Sequence, residues 1–398
     1  MAQRPMERAL MSGDPISKLT DDILVDIISR VPYKSTCCCK CVSTRWRGLF
    51  SHPDHRKKLP QPLAGFFHES YHKNRFPKTV QYFTNVSGEG DPLVNPSLSF
   101  LPTYESLHIL DCCNGLLLCR CWKATTDPKT LDYVVCNPAS EKWVVVPTTD
   151  WSSKVEVARL GFEPAVSSHF HVFEFIDEEV WGIDESELSY CDGRIETVAI
   201  YSSKSGVWKH QSLDSLAFAI PRNSKSVFIN GILHLAVAYY FILAVDVEGN
   251  RWRIIHIPME PYHDDARDDA IFVSREQLYF TSSVTCSNGF QLSVWVRENY
   301  NSERWTLKHN VSHLDLFGAM YSLFANHFNV ISFHPERNMI FIVCGHENTL
   351  MSYEMDCRKL CLICELGRDC QIEGGKTPYI PYVPLYSGLW QMHTKSLA

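Results

Sequence analysis

Sixteen cysteines and seventeen histidines are the side chains of this 398-residue chain best suited to chemistry, and their spacing decides whether they do any. Cys361 and Cys364 have the Cys-x2-Cys spacing of a zinc knuckle, with Cys357 and Cys370 nearby. The surrounding residues read as strand and turn, however, and in a strand positions i and i+3 point to opposite faces. Cys37, Cys38, Cys39 and Cys41 are too crowded for a tetrahedral site; in a helix Cys37 and Cys41 share a face, which suits packing. Cys119 and Cys121 share a strand face and read as core. His68 with His72, and His309 with His313, stand four apart, a spacing without ligand meaning outside a helix. No metal and no cofactor are expected.

Nucleophilic chemistry is no better supported. There is no Gly-x-Ser-x-Gly elbow, Walker loop or His-Glu-x-x-His motif. Ser202 to Trp208 has the outline of a sialidase Asp-box but lacks its Asp. Nothing pairs a nucleophile with an identifiable base. Acidic clusters stand at Asp177-Glu178-Glu179, at Asp184-Glu185 with Glu187, and at Asp264-Asp265 with Asp268-Asp269. They read either as solvated loops or as an acidic rim that attracts a basic partner.

The bulk properties exclude more. The chain is 45% hydrophobic and 21% charged, with a net charge of -7, so nucleic acid is not an expected partner. No run of eighteen apolar residues predicts a membrane span. The first fifteen residues lack an apolar h-region, so no secretory signal is expected; residues 1–13 read as a disordered lead-in. Cysteines without an export signal imply a reducing compartment, cytoplasm or nucleus, where thiols act as small hydrophobes.

The elements that would position a site fall into two kinds. Residues 14–53 read as three short helices. Thr20 can cap the first, with Asp21 and Asp22 in its first turn. Ile23, Leu24, Ile27, Ile28 and Val31 fall on one face, and Pro32 stops the helix. Ser35 can cap a second helix through Cys41, and Ser43 or Thr44 a third carrying Trp46 and Leu49. About forty residues make too small a core to stand alone, so a partner must cover the stripe. An ordinary helical hairpin packed on the rest of the chain is the alternative.

This segment resembles the F-box. The matching residues are Leu19-Thr20, Asp22-Ile23-Leu24, Ile27 to Arg30, Val31-Pro32-Tyr33-Lys34-Ser35, Cys41-Val42-Ser43 and Trp46-Arg47. Thr20 stands where the family has Pro, and Thr36 and Cys38 where it commonly has Leu and Arg. The resemblance implies docking on a Skp-family adaptor, and through it on cullin and RING subunits of an SCF ubiquitin ligase. Leu19, Ile23, Leu24, Ile27, Ile28, Pro32, Val42 and Trp46 are the candidate adaptor contacts. Some of these must form the internal core instead, and the sequence does not partition the two sets.

After a linker at residues 54–62 the pattern becomes β. Tyr133 to Cys136, Ala199 to Tyr201, Ile242 to Val247 and Leu292 to Val296 each lead through a polar turn to a large aromatic: Trp143, Trp208, Trp252 and Trp305. A fifth copy runs through Ser352 to Met355, with Leu360 in the Trp place. Asn-Gly pairs at Asn114-Gly115 and Asn230-Gly231 precede apolar strands, with degenerate counterparts at Arg275-Glu276 and Asn338-Met339. Small antiparallel units repeating in this way predict a β-propeller over residues 63–398, with about six blades and six to eight possible. A pair of β-sandwiches is the alternative.

The spacing from Tyr201 to Trp208 is similar to a kelch repeat. The whole segment resembles the F-box-associated domains of plants at Cys113 to Leu116, Asn137 to Trp143, Gly161 to Pro164 and Leu292 to Trp295. The expected fold is therefore a small all-α F-box followed by an all-β propeller. The expected function is substrate recognition for an SCF ligase: a non-catalytic chain whose propeller holds an unidentified target protein. An F-box scaffold acting without ubiquitylation, and a propeller enzyme, are the competing readings.

Overall fold

Thr20, Asp21 and Asp22 begin a helix, as their types favour. The computed structural model describes residues 15–30, 44–51, 63–71, 79–123, 130–155, 157–177, 195–212, 220, 224–237, 241–258, 267–286, 289–300, 302–324, 328–368 and 379–385. The chain divides into two compact units, Met1–Pro60 and Gln61–Ala398.

In the first unit a 3-10 turn, Pro15–Lys18, leads into helix α1, Asp21–Ser29; helix α2 is Thr44–Ser51. Thr20 takes the extended N-cap conformation, but its side chain makes no capping hydrogen bond. The helix ends at Ser29 with Arg30 as its C-cap, slightly before Val31. The lead-in, the second expected helix, Pro32, Val42 and the 54–62 linker lie outside the described residues. Two helices rather than three are therefore described. Leu24, Val25, Ile28 and Leu49 form a small core, with Leu19 and Trp46 packed against it. Arg45 fastens α2 to the start of α1 by donating to the Leu19 carbonyl at 2.6 Å and to Asp21 Oδ1 at 2.7 Å.

The second unit is built from antiparallel sheets. Blade 1 contains β3 (Ser106–Cys113), β4 (Leu116–Trp122), β5 (Leu131–Asn137) and β6 (Lys142–Val146). Blade 2 contains β7 (Val157–Phe162), β8 (Phe170–Asp177), β9 (Ile195–Ser202) and β10 (Val207–Ser212). Blade 3 contains β11 (Ser226–Ile229), β12 (Ile232–Val237), β13 (Phe241–Asp246) and β14 (Trp252–His256). Blade 4 contains β15 (Arg267–Ser274), β16 (Gln277–Cys286), β17 (Gly289–Arg297) and β18 (Thr306–Ser312). Blade 5 contains β19 (Asn329–Phe333), β20 (Met339–Cys344), β21 (Thr349–Glu354) and β22 (Lys359–Glu365). Blade 6 joins both ends of the unit: β1 (Gly65–Tyr71) pairs with β2 (Thr79–Asn85) on one side and with β23 (Ile380–Tyr382) on the other.

The first strands of successive blades touch in the order β3, β7, β11, β15, β19, β23 and back to β3. They form the inner ring of a six-bladed propeller, and β23 completes it from the C-terminal side. Each blade packs on the next through its own apolar cluster. Leu116, Leu118 and Tyr133 meet Leu160, Phe162 and Val172 between blades 1 and 2. Phe67 and Phe83 meet Leu117, Cys119 and Val134 where blade 6 returns to blade 1. The unbroken apolar run Leu116-Leu117-Leu118 follows from this arrangement, because β4 is covered on both faces.

The repeated aromatics join the blades. Trp208 Nε1 in blade 2 donates to the Pro147 carbonyl at the end of blade 1, at 2.6 Å. Trp305 Nε1 in blade 4 donates to the His256 carbonyl in blade 3, at 2.8 Å. The five repeat copies read from the sequence are thus the third and fourth strands of the five four-stranded blades.

The turn chemistry follows the residues. Asn114 and Gly115 have φ of 47° and 86°, and Asn230 and Gly231 have 54° and 72°, the two positive values of a tight primed turn. Arg275 and Glu276 adopt the same form at 50° and 57° without glycine. Arg275 is held there by its own N–H and Nε, which donate to the Pro335 and Glu336 carbonyls of blade 5. The turn before Met339 is different. It is closed by His334 N donating to the Met339 carbonyl, while the Asn338 amide donates to the Asp356 carboxylate at 2.8 and 2.9 Å.

Candidate functional site

Helix α1 carries apolar residues at five of six consecutive positions from Ile23 to Ile28, so a single buried face cannot hold them all. The structure divides them. Leu24, Val25 and Ile28 are 1%, 0% and 0% exposed and face α2. Ile23 and Ile27 are 48% and 45% exposed, one turn apart on the outer side. Ile16 is exposed as well. Leu19 and Trp46 are half-buried against the core. Of the eight candidate contacts, then, Leu24 and Ile28 are internal, Ile23 and Ile27 stand free, and Leu19 and Trp46 lie between. Pro32 and Val42 lie outside the described residues. Val25, absent from the sequence-derived stripe, is a core residue. Asp22 and Asp26 border the outer isoleucines and are exposed, with Asp26 paired to Arg30 at 2.7 Å.

The family-like motifs of the second unit turn out to be fasteners. Asn114 Nδ2 donates to the Phe162 carbonyl at 2.7 Å, and Cys113 Sγ lies 3.2 Å from the same oxygen. Gly115 is required twice: its φ is positive, and a Cβ there would meet Leu385 at 2.5 Å. Asn137 Nδ2 donates to the Leu385 carbonyl at 2.7 Å. Cys-Asn-Gly and Asn-Pro therefore tie blade 1 to blade 2 and to the segment after β23.

The inner ring holds charges that serve the same purpose. Asp111 on β3 accepts from the Cys112 and Leu160 N–H groups, each at 2.8 Å, with Ser226 Oγ at 3.4 Å. Burial pushes its carboxyl up, against the pull of the neighbouring Arg159 guanidinium. Arg159 donates to the carbonyls of Ala158 and Ser224. Lys225 Nζ donates to the Val330 carbonyl on β19 at 2.7 Å and lies 4.5 Å from the centroid of the Phe272 ring. These contacts link blades 1, 2 and 3, and run on from blade 3 to blade 5.

The cysteines follow packing. Cys119 and Cys121 are fully buried beside Cys136. Cys361 is exposed and Cys364 half-buried on β22, Cys357 is an exposed turn residue, and Cys370 lies outside the described residues. Among the described residues no three His, Cys, Asp or Glu side chains converge as metal ligands. Glu178, Glu179, Asp184, Glu185, Glu187, Asp264 and Asp265 lie outside the described residues.

One element was missed by sequence reasoning. Between blades 4 and 5 the chain forms helix α3, His313–Phe317, and the short helix α4, Tyr321–Phe324. Ser312 caps α3 by accepting from Asp315 N at 3.0 Å. The Ser-x-x-Asp spacing is a helix-start signal that could have revealed it. Leu314 and Leu323 are exposed at 52% and 62%. No helix among the described residues is long and apolar enough to cross a membrane.

Comparison with known proteins agrees with this architecture. The family described as F-box protein At3g26010-like, beta-propeller, matches residues 95–376, and the F-box domain matches residues 16–58. F-box protein At5g07610 of Arabidopsis thaliana is 28% identical, over 73% of this chain and 70% of its own. F-box protein At5g49610 of the same plant is 23% identical, over 76% and 82%. Among solved structures, a chain of a nidogen/laminin complex covers 74% of this chain and 90% of its own, at 8% identity and a TM-score of 0.38, too low to bear on function.

Proposed function

Because this chain belongs to the F-box protein At3g26010-like β-propeller family, we propose that it is the substrate-recognition subunit of an SCF ubiquitin ligase. The first unit docks on a Skp-family adaptor and the propeller holds a target protein. The chain itself breaks no bond. It acts by proximity, keeping target lysines near a charged conjugating enzyme at high effective concentration. Its place of action is the cytoplasm or nucleus.

The observation that carries the reading is the division of α1. Leu24, Val25 and Ile28 already fill the small core, so Ile23 and Ile27 contribute nothing to it and remain exposed on a unit with little core to spare. Exposed aliphatic residues a turn apart on a helix suit insertion into a partner's apolar groove. Ile23 and Ile27 are the adaptor contacts in this reading, with Leu19 and Trp46 beside them; Pro32 and Val42, outside the described residues, stay candidate contacts on the sequence alone. Leu24 and Ile28 support them from inside.

The test is co-purification of the full chain with a Skp-family adaptor, followed by target half-life in cells. Full-length protein shortens the half-life through the proteasome. A chain lacking residues 1–60 still binds the target but lengthens its half-life. Equal half-lives, with both forms bound to the target, would favour scaffolding without ubiquitylation.

A further inference from the structure

Arg297, the last residue of β17, is 2% exposed, and none of its three guanidinium nitrogens has a hydrogen-bond partner. Burying a cation without an acceptor is costly, and native folds rarely leave it so. The other arginine buried among the described residues, Arg159, shows how this fold meets that need: two backbone carbonyls and a neighbouring carboxylate.

Strand register explains where Arg297 points. It lies opposite Leu278, whose side chain faces the apolar cluster between blades 3 and 4. Trp295, two residues earlier, shares that face, and its buried Nε1 is also without a partner. From blade 3, Ala244 belongs to the same cluster, and its cross-strand neighbours are His234 and Arg253. Tyr300 connects the groups. Its hydroxyl lies 2.8 Å from His234 Nε2, its carbonyl accepts from Arg253 Nη1 at 3.4 Å, and its ring centroid is 5.6 Å from the Arg297 guanidinium carbon.

We propose that this cluster of Arg297, Arg253, Trp295 and Tyr300 between blades 3 and 4, at the end where the Asn230-Gly231 turn lies, binds a small oxyanion of the phosphate class. Arg297 and Arg253 supply the counter-charge, and the Trp295 indole N–H supplies a further donor. Two guanidinium groups brought together without a shared carboxylate repel each other, and an anion between them removes that cost. Burial and the charge of Arg253 both hold the Arg297 pKa below its ordinary value; Glu303, the nearby carboxylate that opposes them, is exposed and makes no ion pair with it. Burial, with the two arginines adding to it, holds His234 at about 4, so it is neutral and fixes the Tyr300 ring rather than adding charge. Near-complete enclosure of Arg297 favours a small tetrahedral ion.

The probe is inorganic phosphate titrated into the full-length chain, with chloride at matched ionic strength as control. Phosphate should raise the melting temperature saturably, and Arg297→Met should abolish the dependence. Arg253→Gln, a change at a half-buried site, should weaken apparent phosphate affinity by about tenfold, the worth of one charge-assisted hydrogen bond. It also keeps the test decisive if Arg297→Met does not fold. O-phosphoserine in competition separates the sources. Displacement of phosphate shows a site open to a protein-borne phosphate; no displacement shows a resident free ion. A parent insensitive to phosphate over chloride, or variants that keep the parent's dependence, would overturn the proposal.

Discussion

Phe67 and Tyr382 come from opposite ends of the propeller segment and pack edge to face, with ring centroids 5.5 Å apart. Both are essentially buried, and their strands pair in register from Gly65 with Tyr382 to Phe67 with Ile380. The ring of blades is closed by this contact. Tyr382→Ala should cost about 3–5 kcal/mol, as loss of a buried aromatic does. Denaturant unfolding at equilibrium measures it. An unchanged midpoint would show that β23 is not what closes the ring.

The tryptophan fasteners between blades are weaker. Trp208→Phe keeps the aromatic ring beside Tyr201, 5.5 Å away, but loses the hydrogen bond to the Pro147 carbonyl. A loss of about 0.5–1.5 kcal/mol is expected. Trp305→Phe should behave alike through His256. A loss beyond that range in either would mean that the ring itself, and not its N–H, carries the contact.

Acid should loosen the propeller. Burial holds His68, His234 and His313 at about 4, against about 6.5 when unfolded. A depressed folded pKa gives stability that is complete above 6.5 and is lost as pH falls towards 4. At pH 5 each buried histidine should cost about 1–2 kcal/mol. Asp111 and Glu174, both raised by burial, act in the opposite sense at the lower end of this range. Urea midpoints at pH 7 and pH 5 test the prediction, with His313→Gln flattening the fall. An equal fall in that variant would remove His313 from the account.

Much of this architecture was legible in the sequence. Apolar strands beside Asn-Gly turns, and a Trp at the same place in four of five copies, reported the repeating blade because each blade meets the same neighbours. The blade count depends on β23 pairing with β1, a contact between sequence-distant segments that no local pattern carries. Arg275 and Glu276 could be read as a degenerate turn, since the following strand kept its pattern. Val25 escaped because five apolar residues in six positions blur the face of α1. Nothing in the local pattern singles out Arg297; it is the register that sets it opposite Leu278, on the face turned to blade 3, that goes with its burial.

Within the first unit, buried and exposed positions should separate in function. Leu24→Ala opens a cavity against Leu49 and Trp46 and should cost about 2–5 kcal/mol of local stability. Ile27→Ala removes an exposed side chain and should leave stability within about 0.5 kcal/mol. Hydrogen exchange of α1 amides measures both. Equal protection in the two variants would contradict the division of the helix.

In the proposed function, Ile23 and Ile27 dock this chain on a Skp-family adaptor. The most direct measurement is titration of the adaptor into the full-length chain by calorimetry, for the parent and for the Ile23→Asp, Ile27→Asp double variant. The parent should bind one-to-one and the variant should lose at least about a hundredfold in affinity, since each substitution puts a charge into an apolar contact. The melting temperature of the propeller should not change. No binding by the parent, or equal binding by both, would contradict this docking.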